Sequence, residues 1–361
     1  MNKFAALAAE AARRSIPLTV HLELTLACNV RCVHCYQGPT HRRAPRELSA
    51  EEWISVVDQA RAMGAFFVSL SGGEALVSPH FWTVAEHVRR IGLGLRVFTN
   101  GIALGRETTR RLAALGPTSV EVSIFSLSPA RHDAVTRVPG SLSRAVRGLF
   151  RLKRLGVPLG LKCPLLAENA ADHASLRRLA ERLGASLVFD PHISPARDGS
   201  MAPTRCRGED GTLLSFLSDP AVVTLGRRPA GPVPPDRSPC GMARTFVSIS
   251  SEGDVLPCPL LRMPAGNVRD ASLTALWRSP LMERLRARRY GSLPTCGTCP
   301  RSGYCDRCSA IAFLEDGDLD GPSSRACHMA ELREQAWGIP APAGAPAVTP
   351  GTPRLRVLPG S

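Results

Sequence analysis

No stretch of the 361-residue chain approaches the ~18 uninterrupted apolar residues that a bilayer crossing needs, which disfavours an integral membrane protein. The opening segment MNKFAALAAEAARRSIP has no sustained apolar run, because Glu10, Arg13 and Arg14 interrupt it; a signal peptide is disfavoured and a cytoplasmic location is expected. Lysine is nearly missing. Only Lys3, Lys153 and Lys162 are lysines, and every other basic side chain is arginine. Aromatics make up 5% of the chain, and the arginines lie scattered in pairs such as Arg110–Arg111 and Arg227–Arg228 rather than in one block with stacking residues. The formal charge of +14 therefore reads as a basic surface, nucleic acid is disfavoured as a partner, and an acidic peptide or polycarboxylate stays compatible. No internal repeat is present. With 44% hydrophobic and 21% charged residues, the composition is that of a globular protein, and the length suggests about two domains.

Cysteine is the excess. Twelve are present, and ten fall into two sets: Cys28, Cys32 and Cys35 near the front, and Cys240, Cys258, Cys296, Cys299, Cys305, Cys308 and Cys327 near the back. Cys163 and Cys206 stand alone; Cys163, inside the apolar run GLKCPLL, reads as a core residue, beside Lys162 as a candidate for the barrel interior. Clustered thiols without a secretion signal point to metal rather than to a disulfide framework.

From residue 18 to 193, short apolar runs (18–26, 65–71, 93–99, 119–125, 157–166 and 186–193) alternate with helix-length amphipathic segments (49–63, 79–91, 106–115, 143–155 and 172–183). Ser49 followed by Glu51 and Glu52 marks a helix start, and Gly64, Gly92, Gly116, Gly156 and Gly184 mark helix ends. The alternation predicts parallel βα units, as an open sheet or as a complete or partial barrel. Residues 1–17 form an N-terminal extension. The proline-rich stretch 194–239 reads as a linker or active-site cover with one helix near 211–218. Residues 240–337 open with TFVSISSEGDVLPC, a hairpin pattern, followed by helices at 271–278, 280–289 and 327–336 around a cysteine-rich loop at 294–308. The Ala- and Pro-rich tail, 338–361, is expected to be disordered.

The spacing Cys28-x3-Cys32-x2-Cys35 follows directly on the first predicted strand. Three thiolates in one tight loop hold three irons of a 4Fe-4S cube and leave the fourth iron free; a fourth donor from His34 or His41 would instead complete a zinc site. The loop leaves the C-terminal end of a parallel strand, where α/β enzymes bind ligands, which favours the first reading.

This cysteine loop, with Ser-Gly-Gly-Glu at 71–74 after the second strand, resembles the radical S-adenosylmethionine (radical SAM) superfamily. The resemblance implies a partial (β/α)6 TIM barrel. It also implies a radical-generating 4Fe-4S cluster on Cys28, Cys32 and Cys35, whose open iron chelates S-adenosylmethionine for reductive cleavage to a 5′-deoxyadenosyl radical. Gly72 and Gly73 would admit the cofactor close to the backbone, and Glu74 would accept from its amino group. His34 would lie beside the adenine, and Asn100 and Ser123 would line the cofactor or its ribose. The stretch His132–Arg137 resembles a segment that carries an arginine in some related enzymes; Thr136 intervenes here, and the displaced Arg137 is a candidate for the cofactor carboxylate.

The rear cysteines resemble a SPASM extension, a domain that holds auxiliary iron-sulfur clusters. That resemblance implies an outer cluster on Cys296, Cys299, Cys305 and Cys327 and an inner one on Cys240, Cys258 and Cys308; a zinc ribbon is the alternative. No cysteine lies just upstream of Cys240, so the inner set has an open site, borrows Cys206, or uses another ligand such as Asp236.

The family resemblance implies a peptide-modifying oxidoreductase that acts on a ribosomally made precursor peptide. The candidate outcomes are thioether or carbon–carbon cross-linking, oxidation and epimerisation. A flavodoxin- or ferredoxin-type reductant would serve it. About 17 residues precede the first strand, so leader recognition would need a separate leader-peptide-binding protein or the barrel surface. Pro259 follows the second extension cysteine where sulfatase activators place an aspartate, which disfavours that subgroup. The alternatives are tetrapyrrole side-chain modification in a haem pathway and a non-enzymatic iron-sulfur carrier or scaffold.

Overall fold

The computed structural model describes residues 3–38, 43–225, 232–338 and 355–357. Six parallel strands, β1 (Thr19–Glu23), β2 (Phe67–Ser71), β3 (Gly94–Thr99), β4 (Ser119–Ser123), β5 (Leu159–Pro164) and β6 (Ser186–Asp190), lie side by side in chain order. Helices at Ala50–Ala62, Phe81–Arg90, Arg106–Leu115, Ser141–Arg154 and His173–Leu183 make the crossovers. The strand and helix pattern of the sequence is met within a few residues.

Two pairings extend this sheet. β7 (Phe246–Ile249) adds parallel to β1, with His21 opposite Ser248, and β8 (Val255–Leu256) turns back antiparallel on β7. The hairpin was expected in a separate C-terminal unit; instead it covers the free edge of β1. At the other edge β9 (Leu355–Val357) pairs parallel with β6. Those three residues fall in the tail expected to be disordered, whereas 339–354 and 358–361 lie outside the described residues. The two ends of the sheet do not meet, so the barrel is partial.

Alternation along the strands decides what faces inward. Leu95 and Val97 on β3, Val120 and Val122 on β4, and Leu161 and Cys163 on β5 are buried in the helix-side core. Arg96 and Phe98, Glu121 and Ser123, and Lys162 take the opposite face. A closed barrel fills its interior with branched aliphatic layers. This one lines it with charge.

Some elements went unread. Helices at Pro129–Thr136, Pro220–Leu225 and Ser309–Asp316 were not expected, because each is short and the first is punctuated by its own polar residues. The N-terminal extension folds as a helix, Lys3–Arg14, and the indole N–H of Trp277 donates to the Ser15 carbonyl just beyond it, 2.7 Å away.

The helix Ala50–Ala62 carries a full capping box. Ser49 Oγ accepts from the Glu52 N–H at 3.2 Å, and Glu52 Oε2 accepts from the Ser49 N–H at 2.8 Å. This helix buries Trp53 in the core and precedes β2. Ser49→Ala is expected to lower the unfolding free energy by about 1 kcal/mol, measured by chemical denaturation.

Candidate active site

The cysteine loop is seated on the β2 exit by backbone contact. The Gly73 N–H donates to the Thr25 carbonyl at 2.7 Å, and the Glu74 N–H donates to the Ala27 carbonyl at 2.9 Å. A Cβ at Gly73 would meet the Ala27 carbonyl oxygen at 2.4 Å; one at Gly72, where φ is +136°, would meet that of Thr25 at 2.4 Å. The two glycines line the cavity described below, but the close approach that demands glycine is to the cysteine loop itself. Glu47, which the sequence gave no reason to single out, holds the loop from the other side. Its carboxylate accepts from Thr25 Oγ1 (2.8 Å) and from the N–H groups of Leu26 (2.9 Å) and Ala44 (3.0 Å), and it pairs with Arg43. Burial works to raise its pKa, but these hydrogen bonds, led by Arg43, outweigh it and hold the carboxyl below its ordinary value.

A cavity of about 240 Å³ opens at the C-terminal ends of the strands, lined by Cys28, Cys32 and Cys35 together with His34, Gly72, Gly73, Glu74, Asn100 and Ser123. Phe98, Glu121 and Lys162 form its floor and wall. Glu74 is 2% exposed and accepts three hydrogen bonds, from Thr99 Oγ1 (2.7 Å), the Asn100 N–H (2.7 Å) and the Leu76 N–H (3.1 Å). A carboxylate offers about four lone-pair sites, so one remains for an ammonium group. Burial raises the pKa of Glu74 despite these donors. Asn100 Nδ2 donates to Asn29 Oδ1 at 2.6 Å, beside Cys28. The His34 ring stands edge-on to Phe125, centroids 5.0 Å apart, and its buried Nδ1 has no partner. Burial lowers its pKa to about 4, so it stays neutral.

The donor chemistry suits an iron-sulfur group. Burial pushes the Cys28 thiol up to about 11 and raises Cys32 and Cys35 as well, so a strongly binding metal must displace their protons. Among the described residues no three His, Cys, Asp or Glu side chains converge closely enough to hold a single ion, as a zinc site would require. His41, the other candidate zinc donor, lies outside the described residues. The orphaned His34 nitrogen and the spare lone pair of Glu74 are polar groups of the kind a cofactor would complete.

Two expected members are elsewhere. Arg137, with φ of +57°, lines a neighbouring cavity of about 1020 Å³ with Arg31 and Asp198, not the one that holds Glu74. Cys206 packs with Phe125, Val135, Leu166 and Ile193 beside Cys32 and Val33; its charged neighbours are Glu168 and Arg137. It is therefore at the front cysteine loop rather than with Cys240, Cys258 and Cys308, and the idea that it completes the inner set is corrected. Asp236 is exposed.

The rear cysteines divide into two groups. Cys296, Cys299, Cys305 and Cys327 line one cavity of about 70 Å³ with Tyr290, Ser302 and Ala330. Cys258 and Cys308 are buried and interact electrostatically with each other and with Cys240. Burial first, then the two neighbouring sulfurs, push Cys258 up to about 12. Two residues between the groups had no sequence signal. Arg307 is fully buried and donates to the carbonyls of Leu319 and Gly321 and to Ser309 Oγ (2.8 Å). Asp306 takes both nitrogens of Arg333 at 2.6 Å and meets His192 at 2.8 Å, tying the C-terminal helix to the exit of β6. Burial works against its charge, but His192 and Arg333 hold its carboxyl well below the usual range.

The sequence matches the family described as the radical SAM superfamily over residues 22–180, and the SPASM iron-sulfur cluster-binding domain over residues 240–300. The mycofactocin maturase MftC of Mycobacterium ulcerans is 30% identical over 346 residues, covering 90% of this chain and 90% of its own. The chain belongs to the radical SAM superfamily. The PqqA peptide cyclase of Xanthomonas axonopodis pv. citri is also 30% identical, across 91% of this radical SAM chain and 94% of the relative. In fold it is similar to Streptococcus suis SuiB, solved bound to S-adenosylmethionine, with a TM-score of 0.71 at 16% identity over 90% of this chain and 81% of the other. The partial barrel is thus that of radical SAM enzymes. Among the described residues no helix is long and apolar enough to cross a membrane.

Gly73→Ala is expected to unseat the cysteine loop, so that reconstituted protein loses about one cluster's iron while the rear cysteines keep theirs. Iron and sulfide analysis with electron paramagnetic resonance checks this. Cys206→Ala is expected to leave iron content and the resonance spectrum unchanged.

Proposed function

We propose that this radical SAM protein modifies a peptide, as an oxidoreductase that matures a ribosomally made precursor. One observation carries the reading furthest: a single buried cation neighbours both the front cysteine loop and the inner rear cysteines. Arg197, buried and ion-paired with Glu23, interacts electrostatically with Cys35 on one side and Cys258 on the other. A substrate residue bound at the cofactor cavity would have a radical source beside it and an electron acceptor beyond Arg197, the arrangement an oxidative modification needs. The two relatives named as a peptide maturase and a peptide cyclase align over nine-tenths of their own length and support the same reading.

In this reading Cys28, Cys32 and Cys35 hold the radical-generating cluster, and Glu74, Asn100 and Ser123 hold the cofactor. Cys296, Cys299, Cys305 and Cys327 hold an outer cluster, and Cys240, Cys258 and Cys308 an inner one with an open position. When bound, cluster and cofactor supply one-electron cleavage of the sulfonium and abstraction of a substrate hydrogen. The protein's part is orientation and exclusion of water. Glu74 orients the cofactor amine, Glu47 and the paired glycines fix the loop, and the Asp306–Arg333 pair fixes the rear domain. A small reductant protein and a separate leader-binding protein complete the proposed system.

Cys32→Ala is expected to abolish 5′-deoxyadenosine formation. Cys299→Ala is expected to keep cofactor cleavage and lose most peptide product, read by the mass change of a candidate precursor peptide. A Cys299→Ala protein with full turnover would remove the outer cluster from the reaction.

A further inference from the structure

The outward side of the barrel carries a groove of about 580 Å³ between the helices Arg106–Leu115 and Ser141–Arg154. It shares no lining residue with the cofactor cavity. Five guanidinium groups border it: Arg106 and Arg110 from the first helix, and Arg147, Arg151 and Arg154 from the second. All but Arg151 are exposed. Among the described residues no carboxylate lines the groove and none of the five is ion-paired, whereas their neighbour Arg111 is, to Glu86 at 3.2 Å. The second helix, SLSRAVRGLFRLKR, contains no acidic residue.

Three of these groups use a donor nearby: Arg147 on Ser143 Oγ (2.8 Å), Arg151 on the Leu104 carbonyl (3.1 Å) and Arg154 on the Phe150 carbonyl (3.4 Å). A guanidinium has five donors in a planar fork that fits a carboxylate, so most remain for a partner. Like charges gathered without counter-charges repel one another, a cost that an anionic partner relieves. Between the charges the groove is apolar. Val146 and Phe150 form its floor, packed against the core, and Leu155 at its end is 45% exposed. The wall is stiff: a Cβ at Gly148 would meet Leu104 Cβ at 2.4 Å, so the second helix packs directly on the loop 101–105. That loop joins Arg106 to Asn100 in the cofactor cavity.

Carboxylates over an apolar strip describe one occupant, an acidic amphipathic peptide segment lying in the groove. A single-stranded nucleic acid fits worse. The one aromatic ring, Phe150, is half-buried with the Arg182 guanidinium over it, 5.2 Å from its centre, so bases lack a platform for stacking. A concave groove does not lie flat on a bilayer. A second copy of a chain with a formal charge of +14 would be repelled.

We propose that this groove binds an acidic, amphipathic segment of the precursor peptide, outside the residues that react. This role rests on the peptide reading above. Contact remote from the chemistry holds the substrate to the protein and raises the local concentration of its reacting residue at the cofactor cavity.

The test is fluorescence anisotropy on the anaerobically reconstituted protein, with a labelled peptide of the repeat Glu-Leu-Ala-Glu and the same peptide with glutamine for glutamate. The acidic probe is expected to bind about tenfold or more tighter than its glutamine counterpart, and to weaken as salt is raised. Arg106→Glu, Arg110→Glu and Arg147→Glu combined are expected to weaken the acidic probe about tenfold or more. The same charge change on other exposed arginines, Arg61→Glu, Arg278→Glu and Arg284→Glu combined, is expected to weaken it less than about threefold. Arg106→Ala and Arg147→Ala, each a truncation of an exposed side chain, are expected to cost about threefold apiece. Dithionite-driven formation of 5′-deoxyadenosine is expected to be unchanged in every variant. Equal losses in the two combined variants would overturn the proposal, as would equal affinity for the two peptides. Tighter binding of oligothymidine or of phosphatidylglycerol vesicles, lost in the groove variant, would overturn it too and give the groove to nucleic acid or to lipid. Binding is read without turnover, so failure here leaves the peptide reading to its own test, the mass change of a precursor.

Discussion

The approach of the cysteine loop to the end of β2 is the constraint on which the site depends. Two backbone hydrogen bonds join the strands' exits where no side chain fits: a methyl at Gly73 would sit 2.4 Å from the Ala27 oxygen. Glu47 closes the same loop from outside by accepting from Thr25, Leu26 and Ala44. The three thiols therefore reach one cavity through a backbone held on both flanks, and little of their placement is left to side-chain choice. A cluster bound there must displace protons from thiols that burial keeps protonated, so metal binding is coupled to deprotonation.

The barrel interior follows from the same arrangement. Its inward positions are polar because they face ligands, not a packed centre, and their charges are resolved in pairs: Glu23 with Arg197, Glu121 with Lys162. The buried pair, Glu23 with Arg197, is a poor source of stability, since desolvation offsets most of the attraction. What it does supply is position. Arg197 also spans to the Tyr36 ring, 4.9 Å from its guanidinium, and its backbone N–H donates to the Tyr36 carbonyl at 2.8 Å. The segment after β6 is thereby fastened across the mouth of the barrel, next to the cysteine loop. Asp306 does the equivalent on the other side, where His192 and Arg333 meet it.

How much of this was legible in the sequence depended on range. Strands β1–β6 and the crossover helices showed themselves through alternation and glycine stops, which are local properties. The cysteine spacing and Gly-Gly-Glu were legible because the chemistry fixes residue types at short intervals. Glu47, Arg307 and Asp306 were not, since each earns its role from partners brought together only by the fold. Asp306 joins residues 192 and 333, and Arg307 reaches the carbonyls of Leu319 and Gly321. Cys206 misled for the same reason. A thiol between two cysteine sets in sequence is not between them in space; the apolar run around Leu166 and Ile193 draws it to the front loop.

Arg137 shows how one backbone angle redirects a site. At φ of +57° it ends the helix Pro129–Thr136 in the left-handed region that glycine usually takes, and the Arg31 N–H donates to the neighbouring Thr136 carbonyl at 3.0 Å. The side chain lines the neighbouring cavity with Arg31 and Asp198, apart from the one that holds Glu74.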